Sequence, residues 1–180
     1  LPKHAGGMVL KRPAHTATDM PPAHMATVGS SGPITWPMRV PFVQSLGTEL
    51  HHFGDGQCEL RLELIDSHMN GWEVAHGGVV MTLLDVSMAL AARSAAPEGM
   101  AVATMEMKTS FLRAAEGRLR AVGKVLHQTR AIAFCDAVLH DAKGVLCAHA
   151  SGTFKFVRSL GSKSLAPGVT VHTPLQQESP

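Results

Sequence analysis

Residues 77–95, "GGVVMTLLDVSMALAARSA", read as one long helix that is apolar nearly all the way round. Val79, Val80, Leu83, Leu84, Val86, Met88 and Leu90 leave no broad polar face. A helix of that kind has to be covered on most sides. The "PEG" at 97–99 ends it. One carboxylate, Asp85, interrupts the run. Burying an ionised acid is costly unless it is paired or hydrogen-bonded, so Asp85 either faces water or has a task.

The cover is expected from strands. In "QCELRLELI" (57–65), Cys58, Leu60, Leu62 and Leu64 alternate with Glu59, Arg61 and Glu63, the pattern of a half-buried strand. Residues 66–76 read as a loop, and a short helical turn at 41–46 stops at Gly47. Four more strand-like runs follow the helix, at 101–112, 118–127, 131–140 and 145–156. The breaks "AAEG", "HQTR" and "DAKG" are of hairpin length, which predicts antiparallel pairing in series. The expected class is α+β, with a curved antiparallel sheet wrapped around one central helix.

The chain has 180 residues, 45% of them hydrophobic and 17% charged, enough for one domain with a real core. We place that domain at 38–158. Residues 1–37 are rich in Pro, Gly, Ala, Thr and Ser and read as a flexible extension or an arm laid across a partner. Residues 159–180 lose the pattern and read as a tail. A net charge of +2, no Lys/Arg cluster and no Tyr argue against nucleic acid as a partner. The window 74–92 has no Lys or Arg, but a mid-helix Asp disfavours membrane insertion by about 2.5–3.5 kcal/mol, so no membrane partner is expected. The N-terminus lacks the layout of a secretory signal. Cys58, Cys135 and Cys147 are far apart and odd in number, which predicts no disulfide and a reducing cytoplasm. The eleven histidines are scattered without ligand spacing, so no metal is expected.

At "NGWEVAHGGVVMTLLD" (70–85) the chain resembles the hotdog-fold acyl-CoA thioesterases, in particular the phenylacetate-degradation (PaaI-like) branch. The likeness lies in an Asn, a His-Gly-Gly six residues on, and an Asp nine after that His. "ATMEMKTSFLRA" and "HQTRAIAFCDAVLHDAKGVLCAHASGTFKF" resemble the family's later strands, so the likeness runs over roughly 40–157. It implies a hotdog fold, a homodimer or homotetramer with active sites between subunits, and hydrolysis of aryl- or medium-chain acyl-CoA without any cofactor. A non-catalytic acyl-CoA-binding protein and an enoyl-CoA hydratase are the alternatives on the same fold.

Thioester hydrolysis needs a nucleophile or base, and donors aimed at the oxygen that turns negative. By resemblance Asp85 is the catalytic carboxylate, as nucleophile or as general base; the plainer reading is an acid facing solvent. Gly77, in the first helical turn, has a backbone N–H without an intrahelical partner and by resemblance is the oxyanion donor. Gly78 would let the acyl group approach the backbone, although both glycines also suit a tight helix entry. Asn70 corresponds to a loop Asn that bonds the thioester or the water, or else simply makes a turn before Gly71. His76 orients the loop or binds substrate. Thr104 stands where some relatives carry Ser to position the water, or is an ordinary strand residue. Arg113 and Arg130 lie in turns that resemble the coenzyme A contact region, where guanidinium suits phosphate, though turn arginines are commonly just solvated. Trp72, Met81 and Met88 are candidates for the acyl pocket or for plain core.

Overall fold

A computed structural model describes residues 32–158; the calls on 1–31 and on the tail at 159–180 lie outside the described residues. A short helix α1 (Pro41–Ser45) leads into strands β1 (Glu49–Gly54) and β2 (Gln57–Glu63). The long helix α2 (Gly77–Ser94) follows, then β3 (Met100–Phe111), β4 (Arg118–Gln128), β5 (Ile132–His140) and β6 (Leu146–Arg158). All six strands form one antiparallel sheet in the order β1-β2-β4-β5-β6-β3. Helix α2 packs against its concave face, as the all-round apolar run requires.

The structure departs from the sequence reading in two places. Strand β1 was not expected. It pairs with β2 through a two-residue turn at Asp55 and Gly56, both at positive φ (50° and 71°). That conformation matches the twist of a hairpin. Its "ELHHFG" lacks a clean alternation because a bulge at His51 breaks the register. Second, the four strands after the helix do not all pair in series. β4, β5 and β6 form the expected meander, but β3 pairs with β6 rather than with β4. The connection 112–117 is therefore a crossover, not a hairpin. Leu112 and Arg113 stay bonded to Cys147 O on β6 (2.8 and 3.1 Å), while Ala75 N–H donates to Ala115 O (3.0 Å), which carries the chain past the start of α2 toward β4.

Ahead of α1, Ile34 N–H donates to Leu50 O at 2.7 Å, so this part of the proline-rich stretch lies along β1. The core is built from the inward residues of the sheet, among them Leu60, Leu62, Leu119, Leu139 and Phe154, against Leu83, Leu84 and Met88 of α2. Met88 is fully buried there, so it is core and not pocket lining. The opposite side of α2 stays half open, with Met81 exposed and Asp85 and Val86 partly so. The helix is long and apolar enough to resemble a membrane span in composition, yet here it is the central element of a folded domain.

On the outer face, Glu59 is nearly buried between Arg61 (2.6 Å) and Arg120 (2.6 Å). Burial alone would raise its pKa, and hydrogen bonds from Arg120 and Arg61 outweigh that and lower it.

Gly123 fixes how closely α2 approaches β4. A Cβ at that position would sit 2.4 Å from the backbone C and O of Ser87 and 2.6 Å from Met88 N. Rigid helix backbone cannot rotate aside as a side chain can. We expect Gly123→Ala to destabilise the fold by about 3 kcal/mol, the upper end for overpacking, measured as a drop in urea midpoint. An unchanged midpoint would contradict this packing.

Candidate active site

The start of α2 is built by its own sequence. His76 is the N-cap, with extended backbone (φ −60°, ψ 136°), and its Nδ1 accepts from Gly78 N–H at 2.9 Å. A Cβ on Gly78 would lie 3.0 Å from that Nδ1, so glycine leaves room for the cap. His76 thus orients the helix entry, and the Gly78 amide is occupied. Gly77 is the first helical residue; its N–H has no acceptor within the helix and carries the positive end of the dipole. The Phe111 ring lies 3.6 Å from where a Gly77 Cβ would be, screening the residue on that side.

Asn70 closes the loop before the helix. Its Oδ1 accepts from Trp72 N–H (2.9 Å), its C=O accepts from Glu73 N–H (3.0 Å), and its N–H donates to Val74 O (2.9 Å). The turn-forming reading of Asn70 is therefore realised, and its side-chain NH2 is the donor still free for a ligand. Asn70, Trp72, Gly77, Phe111 and Arg113 share the wall of a cavity of about 460 Å³.

Asp85 stands two turns further along α2, half-buried beside β3. Thr104 Oγ1 donates to its Oδ1 at 3.0 Å. Burial pushes the carboxyl pKa up, and the Thr104 hydrogen bond pulls it partly back. A carboxylate held in one orientation with a raised pKa is equipped to take a proton from water or to attack a carbonyl carbon.

The Thr104 contact depends on a bulge. Thr104 lies opposite Phe154 and Glu106 opposite Thr153, which leaves Met105 as an extra residue. Phe154 points into the core, so Thr104 faces the helix. Counting inward positions back from Phe111, Thr109 and Met107 by twos would give Met105 and Ala103, with Thr104 on the outer face. The extra residue reverses the alternation and turns Thr104 toward Asp85. Removing the hydroxyl with Thr104→Val removes a bond that lowers the Asp85 pKa. The acid limb of the pH–rate profile should then move to higher pH, and an unmoved limb would detach Thr104 from the acid.

The sequence-predicted residues do not form one cluster within a single chain. Eight residues of helix separate Gly77 from Asp85 by about 12 Å. Arg113 sits at the Gly77 end, its Nη1 donating to Leu146 O (3.1 Å). Arg130 lies in the β4–β5 turn, where Gln128 Nε2 reaches Ala95 O (3.4 Å) at the other end of α2. Among the described residues no three His, Cys, Asp or Glu side chains converge to hold a metal ion. Phe111 and, beside the predicted Arg113, the crossover residues Leu112, Ala114 and Ala115 were missed as site elements, because their place near Gly77 follows from the β3–β6 pairing.

A family model described as the thioesterase superfamily matches residues 73–148, the stretch that carries Gly77, Asp85 and Thr104. The solved structure of a conserved protein from Pseudomonas aeruginosa is 32% identical with a TM-score of 0.63, over 67% of this chain and 96% of that one. The chain belongs to the thioesterase superfamily. Its single antiparallel sheet around one long helix is the hotdog fold. A Halobacterium salinarum protein provisionally named an esterase is 38% identical over 86 residues, 45% of this chain. That match spans 57% of the relative's own length. The PaaI protein of the E. coli phenylacetic acid degradation operon shares the fold, with a TM-score of 0.60 at 22% identity over 64% of this chain and 83% of that one.

Proposed function

We propose that the protein is an acyl-CoA thioesterase of the PaaI-like branch, converting R–CO–S–CoA and water into the free acid and CoA–SH, with aryl or medium-chain acyl groups. The observation that carries the reading is Asp85, half-buried, held by Thr104 and raised in pKa, on the helix whose first amide opens on a cavity. The thioester oxygen accepts from Gly77 N–H, which stabilises the negative charge that develops there. Asp85 activates water or forms the acyl intermediate itself. Asn70 contributes its side-chain NH2 to the substrate, and His76 keeps the helix entry in place. Only water and substrate are needed, with no cofactor.

One carbonyl group cannot touch two groups about 12 Å apart along a helix. In our reading Gly77 of one protomer therefore works with Asp85 of its partner. The free edge of β3 and the half-open face of α2, with Met105 and Met81 exposed, support a second copy docking there. The same arrangement lets Arg113 and Arg130 of different protomers reach one coenzyme A. The cytoplasm belongs to the proposal as well, supported by three buried free cysteines. The test is thiol release from a panel of aryl- and alkyl-CoA thioesters. Release of CoA with formation of the free acid is expected. Tight binding without release, or hydration of an enoyl-CoA instead, would overturn the reading.

A further inference from the structure

At one edge of the sheet the chain partly covers β1, since Ile34 N–H donates to Leu50 O at 2.7 Å. At the other edge β3 has a neighbour only on the β6 side among the described residues. Leu112 N–H donates to Cys147 O at 2.8 Å, in the same register that sets Phe111 opposite Ala148. Hydrogen-bonded pairs alternate along an antiparallel ladder, so Glu106, Lys108 and Ser110 direct their backbone groups to β6, while Met107 and Thr109 direct theirs to the open edge. The side chains alternate too. Met107 and Thr109 face α2, and Glu106 and Lys108 stand exposed on the outer face. Glu106 Oε1 accepts from Thr153 Oγ1 (3.0 Å), and among the described residues neither Glu106 nor Lys108 has an ion-pair partner.

Opposed residues of paired strands share a face, which leaves few ways for a second copy to cross β3 about a two-fold axis. An axis at Glu106 or at Lys108 sets like charges against each other, which is unfavourable. An axis at Thr109 sets Lys108 opposite Ser110 and leaves Glu106 without a cation. An axis at Met107 sets Glu106 of each chain opposite Lys108 of the other and lets the two Met107 backbones bond each other. We propose that a second copy of this chain docks on β3 in that register, held by two reciprocal Glu106–Lys108 ion pairs. This rests on the reading that Gly77 of one protomer works with Asp85 of its partner. The crossing sets Thr104 of one chain opposite the 109–110 stretch of the other, beside the Phe111 that touches Gly77.

The test reverses the charges. In Glu106→Lys alone, and in Lys108→Glu alone, both crossings become like-charged, and self-association followed by sedimentation velocity should weaken at least about 10-fold. In an equal mixture of the two variants, one chain brings two cations to the crossing and the other two carboxylates. Mixed dimers should then form with parental affinity. The double variant Glu106→Lys/Lys108→Glu should do so by itself, which separates a lost interface from a lost fold. Assayed at a concentration where the single variants are dissociated, thiol release should fall in each and return in the mixture. Single variants that associate like the parent overturn the proposal, and so does a mixture as weakly associated as its components. If association follows the stated pattern but no acyl-CoA is cleaved, the register stands and the hydrolase reading fails. If the parent cleaves acyl-CoA and every variant associates and cleaves as it does, the hydrolase reading stands and the register is wrong.

Discussion

Asp85→Asn is expected to lower kcat by about 10²–10⁴-fold, the range over which a positioned acid or base contributes. The substitution is nearly isosteric, and the Asn Oδ1 still accepts from Thr104, so the loss reports chemistry rather than geometry. The same change should make the protein more stable at neutral pH. Burial raises the Asp85 pKa above its unfolded value. The folded state then holds the proton more tightly than the unfolded chain, and stability falls as pH rises through the interval between the two values. The resulting cost is absent below the ordinary Asp value of about 3.9 and complete above the folded value. Asn carries no such cost. The melting temperature of Asp85→Asn should exceed that of the parent at pH 7, with the gap closing as the solution is acidified. A variant both inactive and less stable at pH 7 would show that Asp85 is a structural residue.

The second large effect concerns a backbone group, which a side-chain scan does not reach. Gly77 is the first helical residue, a position where proline is well accepted because its missing N–H has no helical partner. His76 before it is already extended, at φ −60° and ψ 136°, as a residue preceding proline must be. Gly77→Pro therefore deletes one N–H and leaves the helix in place. Losing one oxyanion donor typically costs about 10²–10³ in rate, and that is the loss expected in kcat. Gly77→Ala is the control. Its Cβ would meet the Phe111 ring at 3.6 Å, an ordinary contact, and its N–H remains, so activity should stay within about an order of magnitude of the parent. Circular dichroism checks that both variants keep the helix. Equal losses in the two variants would remove the amide from the mechanism.

The central helix was legible because its signal is local: an apolar run and a closing Pro-Glu-Gly. Strand β2 was legible because Cys58, Leu60 and Leu62 alternate with polar residues and only one face meets the helix. Strand β1 was not, because its bulge at His51 breaks the period. The neighbour of β3 was not, because hairpin-length gaps do not say whether a strand stays beside the next one or crosses to the far edge. That crossover carries the consequences for the site, since it lays 112–115 near the helix start and puts Phe111 against Gly77. The motif residues were singled out through the resemblance of the Asn–His-Gly-Gly–Asp layout to a family. Their grouping was not legible, because the Met105 bulge turns Thr104 inward and the length of α2 keeps Gly77 from Asp85.

Co-expression of Asp85→Asn and Gly77→Pro in one cell tests the shared site most directly. Each variant alone is expected to be nearly inactive. In a two-fold mixed dimer, one of the two sites pairs the intact Asp85 of one protomer with the intact Gly77 of the other. With random pairing, about a quarter of the parental activity should return. If the purified mixed dimer is no more active than either variant alone, both groups act within one chain or not at all, and the account is wrong.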